Sequence, residues 1–181
     1  MLKTTFDIFF SLFLLLLLGW LIILVFILAS IDTNSFGFFI QTRIGQYGKK
    51  FEIIKIKTIH PKTESISKFG HFLRKSKIDE LPQLLNILFN QMSFVGPRPD
   101  IEGYYDTLEG EHRRILELKP GLTSMASIKY SNEEELLSKQ TNPLKYNDEV
   151  IFPDKIKMNL DYYYNRSFFV DLKIILKTIL R

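Results

Sequence analysis

The run Ser76–Leu85, SKIDELPQLL, sets two carboxylates side by side, Asp79 and Glu80, ahead of Pro82 and an apolar helical pattern. Leu81, Leu84, Leu85 and Leu88 recur at i, i+3, i+4 and i+7, which predicts a helix with one apolar stripe. At about 100° per residue Asp79 falls opposite that stripe, in line with Gln83 and Asn86, and Glu80 lies on the flank. With Asp79 as N-cap, Pro82 is the third helical residue, where its missing N–H costs no intrahelical bond. The positive end of the helix dipole, with Arg74 five residues earlier, then favours an ionised Asp79 and any phosphate near it. Such a carboxylate is a poor general acid and suits a nucleophile or a metal ligand. Simple capping explains an acid at a helix start equally well, so the surrounding sequence has to decide.

Towards the N-terminus, Ile8–Ala29 carries no charge. As a helix it is roughly 33 Å long, enough for a bilayer's hydrocarbon core. The block is long for a secretory leader and ends without a small-x-small cleavage site, so a retained membrane segment is expected over residues 1–30. Lys3 precedes it, whereas Arg43, Lys49 and Lys50 follow, which places the rest of the chain, residues 31–181, on the cytoplasmic side.

Residues 36–59 read as a β-hairpin with Gly45 and Gly48 at its turn, Lys55 and Lys57 on one face and Ile54 and Ile56 on the other. Ser67–Lys75 predicts a short amphipathic helix ending in Arg74, Lys75 and Lys77. Pro97 and Pro99 stiffen a loop around Arg98. Asp100–Leu118 reads as polar helix, Lys119–Thr123 as a turn, and Asn132 with Glu135 as a capping box. A helix begins at Pro153 with Ile156, Leu160, Tyr163 and Tyr164 in phase. The closing helix sets Leu172, Ile175, Leu176 and Ile179 on one face, for a core or for a bilayer surface. The fold class is α+β, predominantly helical.

Lys and Arg total 24 and Asp and Glu 20, a net charge of +4. That excess suits phosphates or anionic lipid, and no nucleic-acid partner is expected. The chain has no Cys, which excludes disulfides and thiolate metal sites, and His60, His71 and His112 lack metal-ligand spacing. Two adjacent carboxylates in such a chain point to Mg2+, which works with one or two carboxylates plus substrate phosphates.

DELPQLLNIL followed by NQMSFVGPRP closely resembles the signature of the bacterial sugar transferases, the monotopic phosphoglycosyl transferases. QTRIGQYGKKFEIIKIKT, FGHFLRKSKIDELPQLLN, KPGLT, LDYYYNRSF and DLKIILKTI follow the family's order along nearly the whole chain. The resemblance implies transfer of a sugar-1-phosphate from a UDP-sugar to a polyprenyl (undecaprenyl) phosphate at the cytoplasmic face of the bacterial inner membrane, initiating a surface glycan. It implies Asp79 as nucleophile and Glu80 as its partner acid, associated with Mg2+. Arg74 and Arg98, with Pro97 and Pro99, are expected phosphate contacts, and Lys57 and Arg43 weaker ones. Many members carry Ser-Pro in the membrane helix, breaking it so that it re-enters the same leaflet. Gly19-Trp20 stands there in this chain, and a re-entrant helix is still expected. Where many members read Pro-Gly-Ile-Thr-Gly-Trp-Ala-Gln-Val-Asn-Gly-Arg, this chain has PGLTSMASIKYS, with Ser131 at the arginine's place and Lys129 two residues before it. The competing readings are a catalytically silent membrane adaptor of the same fold and a Mg2+-dependent nucleotide-sugar phosphohydrolase.

Overall fold

The computed structural model describes residues 2–180. The chain forms two compact units. One holds the chain up to Arg43 together with Lys50–Met92; the other holds Ile44–Lys49 and the chain from Ser93 onward.

In the first unit, α1 (Leu2–Asp32) runs unbroken through Gly19 and Trp20. Its burial is inverted: Asp7 and Ser11 are buried, while Phe9, Phe13, Leu16, Trp20 and Ile23 are exposed. It is long and apolar enough to cross a membrane, and an outward face of large apolar side chains is consistent with membrane association. The C-terminal half of α1 turns Val25 and Ala29 inward onto Ile56 and Leu73, with Phe26, Phe38, Phe69 and Ile78 around them. The strands β1 (Phe38–Ile44) and β2 (Lys50–Ile56) form the expected hairpin. Strict alternation fails in β2, where Ile53 and Ile56 are buried and Ile54 is intermediate. The reason lies at the strand's edge, where the Ile54 N–H donates to the side chain of Asn86 at 3.2 Å. The helix α2 (Lys68–Ser76) starts at the Ser67 cap, whose hydroxyl accepts from Gly70 N at 2.9 Å and donates to Asp32 at 2.7 Å. That pair fixes the end of α1 to the start of α2. The helix α3 (Gln83–Leu88) packs along α1.

In the second unit, β3 (Ser93–Val95) pairs in parallel with β4 (Gly121–Thr123), Ser93 opposite Gly121 and Val95 opposite Thr123. The sequence read Lys119–Thr123 as a turn; a three-residue strand lacks the length to show periodicity. The two strands approach so closely that a Cβ on Gly96 would fall on Lys119 O, and one on Gly121 on Gly96 N. The expected polar helix over Asp100–Leu118 is instead 3-10 turns at Tyr105–Thr107 and Gly110–Glu117. Ile115 and Leu116 enter a core with Ile44, Tyr105 and Ile156.

Four short or medium helices follow: α4 (Met125–Lys129), α5 (Glu133–Ser138), α6 (Pro143–Tyr146) and α7 (Phe152–Asn165). Asn132 stands at the N-cap of α5 and makes no side-chain cap bond, so the capping box does not close. Proline sits in the first turn of α7, but a π-helical turn over Asn147–Ile151 leads into it. The buried phase of α7 is Ile156, Asn159 and Tyr162, one register away from the expected tyrosines. Asn159 donates to the Tyr105 hydroxyl, and the Tyr162 hydroxyl donates to Asp171, so hydrogen bonding selects that face. The last helix, α8 (Phe168–Ile179), buries Asp171 and Ile174 and leaves Phe169, Leu176 and Ile179 exposed.

The glycine crossing yields a test. Gly96→Ala or Gly121→Ala places a Cβ onto rigid backbone, and each is expected to destabilise by about 3 kcal/mol or more, read as a lowered Tm of the purified protein. Gly19→Ala meets nothing within 4 Å and is expected to be tolerated.

Candidate active site

The acid pair sits where two helical segments meet. The chain leaves α2 through Lys77, held in the left-handed region at φ 59°. It then enters a 3-10 turn, Ile78–Glu80. Pro82 explains the tight turn. It has no N–H to offer Ile78 O, which takes the Leu81 N–H at 3.1 Å instead, and Leu85 N bonds Pro82 O at 3.0 Å. Leu81 and Pro82 keep right-handed helical angles, so Ile78–Leu88 is one continuous helical run.

Asp79 is therefore inside a turn and caps nothing, which corrects the N-cap expectation. It is also buried, at 8% exposure, with Glu80 at 7%. The polar stripe of Gln83 and Asn86 is buried too, while Leu81, Leu85 and Leu88 are half-buried. The helix is covered on several sides, so the apolar stripe alone does not define its inward face. Asn86 explains part of this. Its Nδ2 donates to Glu52 O at 2.7 Å and to Gln91 at 2.8 Å, and its Oδ1 accepts from Ile54 N.

Lys55, on β2, approaches Glu80 at 3.5 Å, and Lys77 approaches it at 4.0 Å. The positive charges of Lys55, Lys77 and Arg74 all act on Asp79. Lys57 is turned elsewhere, donating to Ser35 at 3.2 Å, which in turn bonds Thr33 near the end of α1. Arg43 bonds Gln41 at 2.7 Å. Lys55 is thus the cation that the sequence reading passed over. Period-two alternation put Lys55 and Lys57 on one face, and only the pairing of β2 with Asn86 selects between them. Pro97, Arg98 and Pro99 lie in the second unit, where they line a depression with Ile44, Gly45 and Tyr105. Their loop is pinned by Gly121 N, which donates to Pro97 O at 2.8 Å. In the same unit Lys129 and Tyr130 both bond Asp154 at 2.7 Å, and the Ser131 hydroxyl is buried without a partner.

Over its whole length, residues 1–181, the chain matches the family model of the bacterial sugar transferases. This chain belongs to that family. The sugar transferase EpsL of Bacillus subtilis (strain 168) is 32% identical, over 98% of this chain and 85% of EpsL. The UDP-glucose:undecaprenyl-phosphate glucose-1-phosphate transferase of Caulobacter vibrioides is 30% identical over 88% of this chain, which spans 61% of that protein. An Escherichia coli (strain K12) transferase of the same name is 30% identical over 100% of this chain, which spans 40% of it. The bacterial sugar transferase described here is accordingly an enzyme.

In this sugar transferase the electrostatics of the acid pair reverse the expectation of a carboxylate held low. Burial, and then the neighbouring Glu80 charge, push the Asp79 carboxyl up to about 6, against the opposing pull of Lys55, Lys77 and Arg74. Its Oδ1 is buried and has no hydrogen-bond partner. Below pH 4 both folded and unfolded chains hold the proton, and the group costs nothing. Between 4 and 6 the unfolded chain ionises first, and above 6 the folded chain carries the full penalty. Asp79→Asn is therefore expected to stabilise the fold by up to about 3 kcal/mol at pH 7, a gain that vanishes below pH 4, checked by thermal melts across pH. Any reaction step that uses the ionised Asp79 carboxylate is expected to gain rate as pH rises through about 6, read from a pH–rate profile.

Proposed function

We propose that this enzyme transfers a sugar-1-phosphate from a UDP-sugar to polyprenyl phosphate, releasing UMP, through a covalent phosphosugar-aspartyl intermediate on Asp79. The observation that carries the reading is Asp79 itself. It is a buried carboxylate raised to about 6, with one oxygen lacking any donor and three cations acting on it. Relatives at 30–32% identity named for transfer of glucose-1-phosphate from UDP-glucose to undecaprenyl phosphate support the substrate classes.

Ionised Asp79 attacks the β-phosphorus of the donor. The bond from that phosphorus to the bridging oxygen breaks, and its electron pair leaves with UMP. An oxygen of polyprenyl phosphate then attacks the same phosphorus, and the Asp79 oxygen departs with its pair as a carboxylate. No proton is gained or lost on the enzyme, and one displacement becomes two. Lys55, Lys77 and Arg74 offset the negative charge gathered by the acid pair and the phosphates. Arg98, held between Pro97 and Pro99, is the candidate phosphate contact of the second unit. Two adjacent carboxylates, one with an unpartnered oxygen, fit the protein's share of a Mg2+ site. Glu80 would hold the ion, which when bound neutralises charge on phosphoryl oxygens.

The acceptor is a lipid, which gives α1 and the exposed apolar face of α8 a reason to meet a bilayer. We read α1 as a re-entrant anchor and α8 as lying on the cytoplasmic leaflet of the inner membrane, the side favoured by Arg43, Lys49 and Lys50.

The test is UMP release from a panel of UDP-sugars with Mg2+, with and without undecaprenyl phosphate. Lipid-dependent release from one donor, reduced at least 1,000-fold by Asp79→Asn, is expected. Release that ignores the lipid would make the enzyme a hydrolase and overturn the proposal.

A further inference from the structure

Gln83 is 2% exposed, yet its Nε2 has no hydrogen-bond partner. Four residues earlier on the same continuous helical run, Asp79 Oδ1 is also buried and also unpartnered. Four residues is little more than one turn of such a mixed 3-10 and α run, which leaves a long Gln83 side chain within reach of Asp79. One orphan is a donor and the other an acceptor, so the two are chemically complementary. The next member of the stripe, Asn86, shows what a structural amide looks like here, with both N–H donors and its oxygen engaged by Glu52, Gln91 and Ile54. Gln83 has none of that. A buried amide with no partner is costly, and a leucine or methionine at the site would avoid the cost, so a structural role does not account for the glutamine.

We propose that Gln83 is a positioning residue for the nucleophile, its Nε2 donating to Asp79 Oδ1 in the donor-bound enzyme and presenting Oδ2 to the phosphorus. Hydrogen bonds of catalytic groups are often open before substrate arrives and close in the complex. The proposal rests on the reading of Asp79 as nucleophile. It adds no bond change: the carboxylate attacks through Oδ2, the electron pair leaves with UMP as before, and the amide only fixes which oxygen faces the donor. Gln83 touches no reacting atom and acts through Asp79.

Gln83→Met keeps length and bulk and removes the donor. Expected for the full-length enzyme in detergent or nanodiscs is a loss of kcat of about 30-fold, with KM for the UDP-sugar within about threefold of wild type and Tm unchanged or raised. The side-chain amide signal of Gln83, assigned by its loss in Gln83→Met, is expected to shift on adding the UDP-sugar to wild type and to stay still in Asp79→Ala, which removes the acceptor. Wild-type kcat in a folded Gln83→Met enzyme would overturn the proposal. So would a raised KM at unchanged kcat, which would make Gln83 a direct donor contact. Full activity in Asp79→Asn would be a different failure, of the nucleophile reading itself. A Gln83 signal that moves equally in wild type and Asp79→Ala would refute the pairing and leave the nucleophile reading standing.

Discussion

The side chain of Asn86 is the interaction on which the arrangement of the acid pair depends. One amide accepts from Ile54 N and donates to Glu52 O, occupying the open edge of β2 much as another strand would. It thereby sets the height of α3 against the hairpin. Lys55 directly follows Ile54 on β2, and Glu80 precedes α3 by one turn. Their 3.5 Å approach follows from that register. A buried amide with both donors and its oxygen engaged is specific in a way that apolar packing is not, because a slip by one residue leaves several polar groups unpaired at once.

The acid pair itself works against folding. Two like charges are adjacent, largely buried, and one oxygen lacks any donor. The cations limit this cost without cancelling it, since the Asp79 carboxyl still ends near 6. Strain accumulates at the same place: Lys77, a residue with a Cβ, holds the left-handed conformation immediately before the pair. The rest of the first unit has to supply the stability that this segment lacks, and its packed cluster of Val25, Ala29, Ile56 and Leu73 begins within the same turn, at Ile78.

What the sequence made legible divides along these lines. The hairpin, α2, the long apolar helix and the helical character of α3 follow from local pattern, and the structure has all four. The identity of the acid pair came from residue order along the chain. Its burial did not, because a leucine stripe implies one inward face, whereas α3 also buries Gln83 and Asn86. The place of Lys55 beside Glu80 went unread for a related reason: alternation assigns a face but no partner. Gly121 lies in a stretch that reads as a turn and Gly96 beside a loop stiffened by prolines; only the parallel pairing of two three-residue strands reveals a backbone crossing. In α7 hydrogen bonds to Tyr105 and Asp171 chose the buried phase, and hydropathy cannot register such bonds.

The long apolar helix α1 is more than an appendage. Its last turns form part of the floor beneath the acid pair. Val25 and Ala29 pack on Ile56 and Leu73, Asp32 accepts the hydroxyl that caps α2, and α2 ends in Arg74 and Lys77. No flexible linker intervenes between the apolar helix and the cations that act on Asp79. The depth of the acid pair relative to the end of α1 is therefore fixed by packed side chains. On the proposed reading the acceptor's phosphate is confined to a bilayer surface and has to meet Asp79 at a constant height, a constraint that a helix packed into the same unit as the acid pair would supply directly.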